Sequence, residues 1–164
     1  MSYVSLEKCS SYSQDEVDKS ANKLLSNLGG IQKFIKKGQK VLLKPNLVKA
    51  VNPEACATTH PAVIEALIKI LKESDCEVLV GDMPFADNTI SAMKACGIYG
   101  ACKKHGAEIA VFDRKIKVKN GNGFVVKEFP LTSYFREADA IINIPKLKTH
   151  SQLYFTGAVK NLYS

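Results

Sequence analysis

The chain has 164 residues, of which 46% are hydrophobic and 24% charged, and it carries a formal net charge of +7. This balance is typical of a globular domain with enough apolar material for a core, and it excludes a disordered or fibrous chain. Only Arg114 and Arg136 among the 23 basic residues are arginine. Because bidentate readout of bases and phosphates favours arginine, a solvated basic surface is a better interpretation than nucleic-acid binding.

The first half of the sequence predicts alternating strands and helices. The segment YVSLEKC is predicted to be a strand, and a helix follows that is capped by Ser13 and stopped by Gly29 and Gly30. KVLLKP is typical of a parallel strand buried on both faces. HPAVIEALIKILKES predicts a helix with one apolar face, capped by Thr59 or His60.

The second half continues the alternation. EVLVGD and AEIAVFD predict strands on either side of a helical stretch that is broken near Gly97. KIKVKNGNGFVVKEF predicts a β-hairpin at an edge of the sheet, with positive-φ residues in NGNG and lysines guarding the edge. The segment SYFREAD predicts a short helix, AIINIP the last strand, and TGAVKNLYS the start of another helix. The predicted fold is therefore a three-layer α/β domain over residues 1–164, with a mostly parallel, Rossmann-like sheet.

Two common cofactor motifs and the usual cysteine ligand patterns are absent from the sequence. Neither G-x-G-x-x-G nor GxxxxGK[ST] occurs, so no dinucleotide or P-loop site is expected. The five cysteines are odd in number and form no CxxC pair, which predicts reduced, mostly buried thiols and no cofactor or metal within the chain. No apolar run could span a bilayer and no signal peptide is recognisable, so we expect a cytoplasmic protein without membrane contact.

Polar residues follow three of the predicted strands. Ligands of open parallel sheets bind beyond the carboxyl ends of the strands, so these residues should meet at one rim. We expect His60, Lys146 and His150 to act in proton transfer, because histidine titrates near neutral pH and a lysine crowded by cations has a lowered pKa. The expected ligand-binding residues are Lys44, Asn46, Thr59, Asp82, Lys148, Lys160 and Asn161.

Each of these residues also has a purely structural interpretation. Lys44 can extend to water from a strand end, and His60 can serve only as a helix cap. Asp82, whose expected roles are to orient a histidine, pair with a lysine or bind a metal, can instead serve only to accept hydrogen bonds from loop amides. Lys160 can face solvent on its helix. His105 lies at a basic helix end and is interpreted as structural.

The segments VLLKPNLV, TTHPAVIEALIKILKE, VLVGDMP and ADAIINIPKLKTHSQLYFTGAVKNLYS occur in this order over nearly the whole chain. Taken together they resemble the "domain of unknown function 362" (DUF362) family, whose members are often described as iron–sulfur or ferredoxin-associated proteins. The resemblance implies that residues 1–164 are the N-terminal part of a longer family domain. It also implies that longer relatives resemble 4Fe-4S proteins, although the cysteine ligands for such clusters are not in this chain.

Two functions follow as hypotheses. The first is binding of a small anionic molecule, a carboxylate or phosphate, at the carboxyl ends of the strands, with acid–base catalysis by histidine and lysine left open. The alternative is a non-catalytic partner module of a ferredoxin-type electron-transfer domain or protein. A homodimer is a further expectation, because a truncated sheet would expose an edge or an apolar patch.

Overall fold

A computed structural model describes residues 3–122, 125–150 and 154–163. Short 3₁₀ turns at Ile31–Lys33 and Pro53–Ala55 interrupt the loops between the main elements. The helices and strands in chain order are α1 (Gln14–Asn27), β1 (Lys40–Pro45), α2 (Pro61–Glu73), β2 (Glu77–Val80), α3 (Thr89–Ala95), α4 (Ile98–His105), β3 (Glu108–Ile109), β4 (Lys115–Lys119), β5 (Glu128–Thr132), α5 (Tyr134–Glu137), β6 (Ala140–Ile144), β7 (Lys148–His150), β8 (Tyr154–Thr156) and α6 (Ala158–Asn161).

Four of the strands form a parallel sheet in the order β3-β2-β1-β6. The central strand β1 pairs in parallel with β2 on one side and with β6 on the other, and β2 pairs in parallel with β3. A parallel arrangement requires crossover connections, and helices supply most of them here. The α/β fold with a parallel, Rossmann-like sheet is therefore confirmed, and all four strands point their carboxyl ends to one rim.

Helices cover the two faces of the sheet unequally. On one face the apolar side of α2 packs on β1 and β2, as its 3.6-residue periodicity predicts, and α1 and α4 pack alongside it. On the other face Leu42 and Leu79 pack with Phe112 and with the four-residue helix α5. The buried residues of the first face include Val41, Leu43, Ile64, Ile68, Leu71, Val78, Val80, Met93, Ile98 and Cys102.

Gly81 occupies a position that has no room for a side chain. It follows β2 and continues the sheet, donating from its N–H to the Leu43 carbonyl at 3.2 Å. On its other side, Ala110 donates to the Val80 carbonyl at 2.9 Å. A Cβ atom at Gly81 would lie 2.1 Å from the Ala110 carbonyl oxygen. Glycine is therefore needed where the neighbouring backbone passes this closely.

One of two predictions about the periphery is wrong. The segment YVSLEKC is not a strand: its described part lies beside α1, with Asn27 Nδ2 donating to Glu7 Oε1 at 2.6 Å. Its alternating apolar residues, Val4 and Leu6, are 91% and 93% exposed, so no neighbouring sheet buries them. The two helices predicted around Gly97 are confirmed, with Gly97 at φ +82° between them.

The predicted hairpin exists but does not form an edge of the main sheet. Strands β4 and β5 pair with each other in a separate two-stranded sheet. The second strand begins at Glu128, later than the sequence pattern predicts, because Val125 and Val126 lie exposed in the loop. Gly123 of the NGNG turn lies outside the described residues. A second short hairpin, β7–β8, was not predicted and lies after β6, close to the rim.

Candidate functional site

The predicted rim is built by β1, β2, β6 and the segment that follows β6. Asn161 joins these elements, because its Nδ2 donates to the Pro45 carbonyl at 3.2 Å, to the Lys44 carbonyl at 3.3 Å and to Asn143 Oδ1 at 2.8 Å. Asn143 Nδ2 in turn donates to the Ala158 carbonyl at 2.9 Å. The short helix α6 is thereby attached to the ends of two neighbouring strands. Asn161 is buried and holds these elements of the rim together.

Thr59 connects the start of α2 to the same strand ends. Its Oγ1 accepts a hydrogen bond from Asn46 N at 2.8 Å and donates to the Ile144 carbonyl at 2.7 Å. Its own N–H donates to the Asn46 carbonyl at 3.1 Å. The hydroxyl proton of Thr59 is thus already used within the protein. The geometry assigns Thr59 a supporting position, and its ligand-binding role stays a prediction.

Lys44 and Asp82 form an ion pair at the centre of the rim, and both side chains are fully buried. Asp82 Oδ2 also accepts from Leu47 N at 2.7 Å, and Lys44 Nζ lies 5.8 Å from the centre of the Phe112 ring. Burial raises the pKa of Asp82 and lowers the pKa of Lys44, while their attraction opposes both shifts. Pairing with lysine is one of the predicted alternatives for Asp82. Extension of Lys44 to water is excluded, because its ammonium group does not reach the surface.

A cleft of about 400 Å³ opens beside this pair, between the loops that follow β1 and β2 and the segment β8–α6. Two buried polar atoms in its lining, Asn46 Oδ1 and Thr156 Oγ1, have no hydrogen-bond partner among the described residues. Buried polar atoms are nearly always hydrogen-bonded, so these two can accept a ligand or water. The residues lining the cleft are Asn46, Leu47, Val48, Met83, Pro84, Phe85, Thr156, Lys160 and Asn161.

Three lysines, Lys146, Lys148 and Lys160, lie near one another at the rim, and Lys160 also lines the cleft. Lys148 is half-buried and donates from Nζ to the Ala57 carbonyl. Burial lowers the pKa of Lys148, and the positive charges of Lys160 and Lys146 lower it further, against the attraction of Asp82. Among the described residues, Asp82 is the one carboxylate that acts on this lysine, and it is already paired with Lys44. The rim therefore carries an excess of positive charge.

His60 lies at the start of α2. Its Nδ1 accepts a hydrogen bond from Ala62 N at 3.2 Å. His60 is therefore the N-cap of α2, one of the two residues predicted for this role. Its ring stacks on Tyr12 with ring centres 3.8 Å apart and an interplanar angle of 11°. Because Nδ1 is an acceptor, the proton of the neutral ring resides on Nε2. In this state His60 can donate a hydrogen bond to a ligand but cannot accept a proton at Nδ1 without breaking the cap.

Tyr12 also contacts Lys146. The Lys146 Nζ donates to the Tyr12 hydroxyl at 3.2 Å and lies 5.5 Å from the centre of the ring.

His150, the other predicted acid–base residue, is half-buried at the end of β7 and lies opposite Tyr154 in the hairpin. The catalytic roles of His60, Lys146 and His150 stay predictions. Sequence reasoning missed Tyr12 and Thr156, because neither lies in a polar strand-end motif.

The family model described as "Domain of unknown function (DUF362)" matches residues 41–164. The chain belongs to the DUF362 family. The match contains every predicted site residue, from Lys44 to Asn161, whereas Tyr12 lies before it. The resemblance stated from the sequence motifs is thereby confirmed.

A thylakoid-associated protein of Synechocystis sp. (strain ATCC 27184 / PCC 6803 / Kazusa) is similar to this DUF362 chain, with 32% identity over 160 residues. The alignment covers 98% of this chain and 49% of that protein, so the chain spans about half the length of the relative. No solved structure is significantly similar to the chain.

The described part of the DUF362 chain contains no group of three or more histidine, cysteine or acidic side chains arranged to hold a metal ion. The thiols of Cys76, Cys96 and Cys102 are buried, and those of Cys9 and Cys56 are exposed; all five are free. Within the same described ranges, no helix is long and apolar enough to cross a membrane.

The environment of His60 predicts a pH-dependent stability of the DUF362 domain. Burial and the charge of Lys146 lower its pKa from the ordinary 6.5, with Glu54 opposing the shift. The unfolded chain therefore binds more protons than the folded one below about pH 6.5, and stability should fall as the pH drops through this range. Asn at this position can still cap the helix, so His60→Asn should flatten the decline. Urea unfolding of both proteins at several pH values measures this effect.

A second variant tests the cause of this shift. Lys146→Gln removes the repelling charge from beside the imidazole, so the decline in stability should become shallower but not disappear. Identical slopes for the unmodified protein and His60→Asn would show that His60 does not carry the effect.

Proposed function

We propose that this domain binds a small anionic ligand, a carboxylate or a phosphate, at the carboxyl ends of its parallel strands. The observation that carries the proposal is the cluster of Lys146, Lys148 and Lys160 around a rim whose nearby carboxylate, Asp82, is committed to Lys44. Neighbouring positive charges repel one another, and an anion bound among them would relieve that repulsion. The cleft of about 400 Å³, which Lys160 lines, gives such an anion a place to bind.

The neutral groups of the rim support the same class of ligand. The side chain of Asn46 lines the cleft, and its amide can present either its oxygen or its nitrogen to a ligand. Thr156 Oγ1 can donate or accept, and His60 can donate from Nε2. Binding sites for small carboxylates and phosphates typically combine several positive charges with a small number of well-placed hydrogen-bond donors. We leave open whether the bound anion undergoes a reaction.

Inorganic phosphate is a suitable first probe, and thermal unfolding in phosphate or chloride at equal ionic strength measures its binding. A ligand that binds only the folded state raises Tm in proportion to the logarithm of its concentration above Kd. We expect phosphate to raise Tm of the unmodified protein, and Lys148→Gln and Lys160→Gln each to abolish most of that rise. Lys36→Gln is the matched control, because it removes the same charge from an exposed position before β1.

Equal responses to phosphate in all four proteins would count against the rim as the binding site.

The alternative function is a non-catalytic partner of a ferredoxin-type iron–sulfur protein, and the net charge of +7 favours an acidic partner. Exposed apolar side chains near the rim, among them Tyr154, Phe155 and Val159, give such a partner a surface to contact. No response to phosphate, together with salt-sensitive binding to a ferredoxin, would favour this alternative.

A further inference from the structure

Lys148 differs in its surroundings from the exposed lysines of the chain. It is half-buried, and its Nζ is held by the Ala57 carbonyl rather than by a carboxylate. In the β7–β8 hairpin it lies directly opposite Thr156, so the two side chains project from the same face of the hairpin. Thr156 is 3% exposed and lines the cleft with a hydroxyl that has no partner among the described residues. Lys148 does not line the cleft itself, but it is the cross-strand neighbour of a residue that does.

The charges around Lys148 favour the neutral amine. Lys160, which lines the cleft, and Lys146 both repel a proton on Nζ, and partial burial acts in the same direction. A lysine next to other cations is a recognised form of activated nucleophile, because its neutral amine has a free electron pair at physiological pH. Lys36 is exposed to solvent and serves as an internal comparison.

We propose that Lys148 is a nucleophilic lysine that forms an imine with the carbonyl carbon of a small 2-oxo carboxylate bound at the rim, at the edge of the cleft. This inference rests on the proposed function and names a substrate class for it. The ligand's carboxylate would face Lys160, and its carbonyl carbon would face Lys148. The side chains of Asn46 and Thr156 line the cleft where they can bond the remaining oxygen atoms of such a ligand.

The proposed step is balanced without an oxidant or a metal. The electron pair of the neutral Nζ attacks the carbonyl carbon, and the π electrons of the C=O bond move to oxygen. Proton transfer from nitrogen to that oxygen gives a carbinolamine. Loss of its hydroxyl group as water then forms the C=N bond, so one amine and one carbonyl give one imine and one water.

Reductive trapping tests the proposal. The unmodified protein is incubated with pyruvate and sodium cyanoborohydride near neutral pH, and the modification of each lysine is measured by peptide mass spectrometry. Because a lowered pKa increases the fraction of neutral amine at a given pH, we expect clearly more modification of Lys148 than of Lys36. Lys160→Gln should reduce this excess, because it removes both a repelling charge and a contact for the carboxylate.

In the unmodified protein, two results would overturn the proposal. One is equal labelling of Lys148 and the exposed lysines, and the other is no label on Lys148. Lys148→Arg keeps the charge and should remove the label from the rim peptide, while Lys36→Arg should leave it unchanged. Phosphate has no carbonyl group and therefore reports on anion binding alone. A phosphate response without trapping at Lys148 overturns the imine while the proposed anion site stands, and the absence of both responses overturns both proposals.

Discussion

Asp82→Ala should lower the free energy of unfolding by about 3–5 kcal/mol, because it leaves the Lys44 ammonium buried without its counter-ion. Both side chains of the pair are fully buried, so water cannot replace the lost carboxylate. The substitution also removes the acceptor of the Leu47 N–H, which adds to the loss. Urea unfolding followed by circular dichroism measures the change.

The double variant Lys44→Met/Asp82→Leu separates the ion pair from mere loss of packing. It replaces both charges by apolar groups of similar size, and we expect it to recover most of the stability lost in Asp82→Ala. Lys37→Gln is the control for an exposed pair, since Lys37 and Asp75 are 82% and 66% exposed, and its unfolding midpoint should not change measurably. An Asp82→Ala midpoint equal to that of Lys37→Gln would contradict a buried pair.

Gly81→Ala should destabilise the domain by about 3 kcal/mol, the upper end of the usual cost of overpacking. The added Cβ would lie 2.1 Å from the Ala110 carbonyl oxygen, which is backbone and cannot rotate away. Relief of the clash requires β2 and the segment after β3 to separate, at the expense of the Ala110 N–H bond to Val80. Thermal and urea unfolding both measure the loss.

Gly100→Ala is the matched control for this substitution. Gly100 is exposed within α4, and a Cβ there meets no atom within 4 Å. Alanine in a helix interior is more favourable than glycine by roughly 0.5–1 kcal/mol, so this variant should be more stable than the unmodified protein. The same chemical change is thus expected to have opposite effects at the two positions. Equal effects would refute the close approach of the backbone at Gly81.

Much of the fold was predictable because its signals are local. The apolar runs of β1, β2 and β6 and the helical periodicity of α2 are typical of buried parallel strands and a one-sided helix. Gly97 likewise marks a helix break through its own backbone conformation. The errors lie where an alternating pattern had no neighbour to pack against, as in the N-terminal segment and in the loop before β5. A pattern of residues does not reveal whether a partner strand exists.

The rim was predictable for a different reason. Parallel strands must point their carboxyl ends to one side of the sheet, so the order of the motifs was enough to place Lys44, Asp82 and Lys146 at the same edge. The pattern did not distinguish which of these side chains is buried and which faces the cleft. Lys44 and Asp82 illustrate this point, because their ion pair joins a residue of β1 to a residue in the loop after β2, 38 positions later in the chain.

The sequence by itself therefore determined the alternation of helices and strands, the parallel sheet, the family and the polar edge. The tertiary structure decided the burial of the Lys44–Asp82 pair, the crowding of Lys148 by Lys146 and Lys160, and the contact of Tyr12 with His60 and Lys146. Periodicity and turn chemistry act between near neighbours in the chain, whereas charge, burial and stacking depend on distances in space. Tyr12 and Lys146 are 134 positions apart, and only folding brings them together.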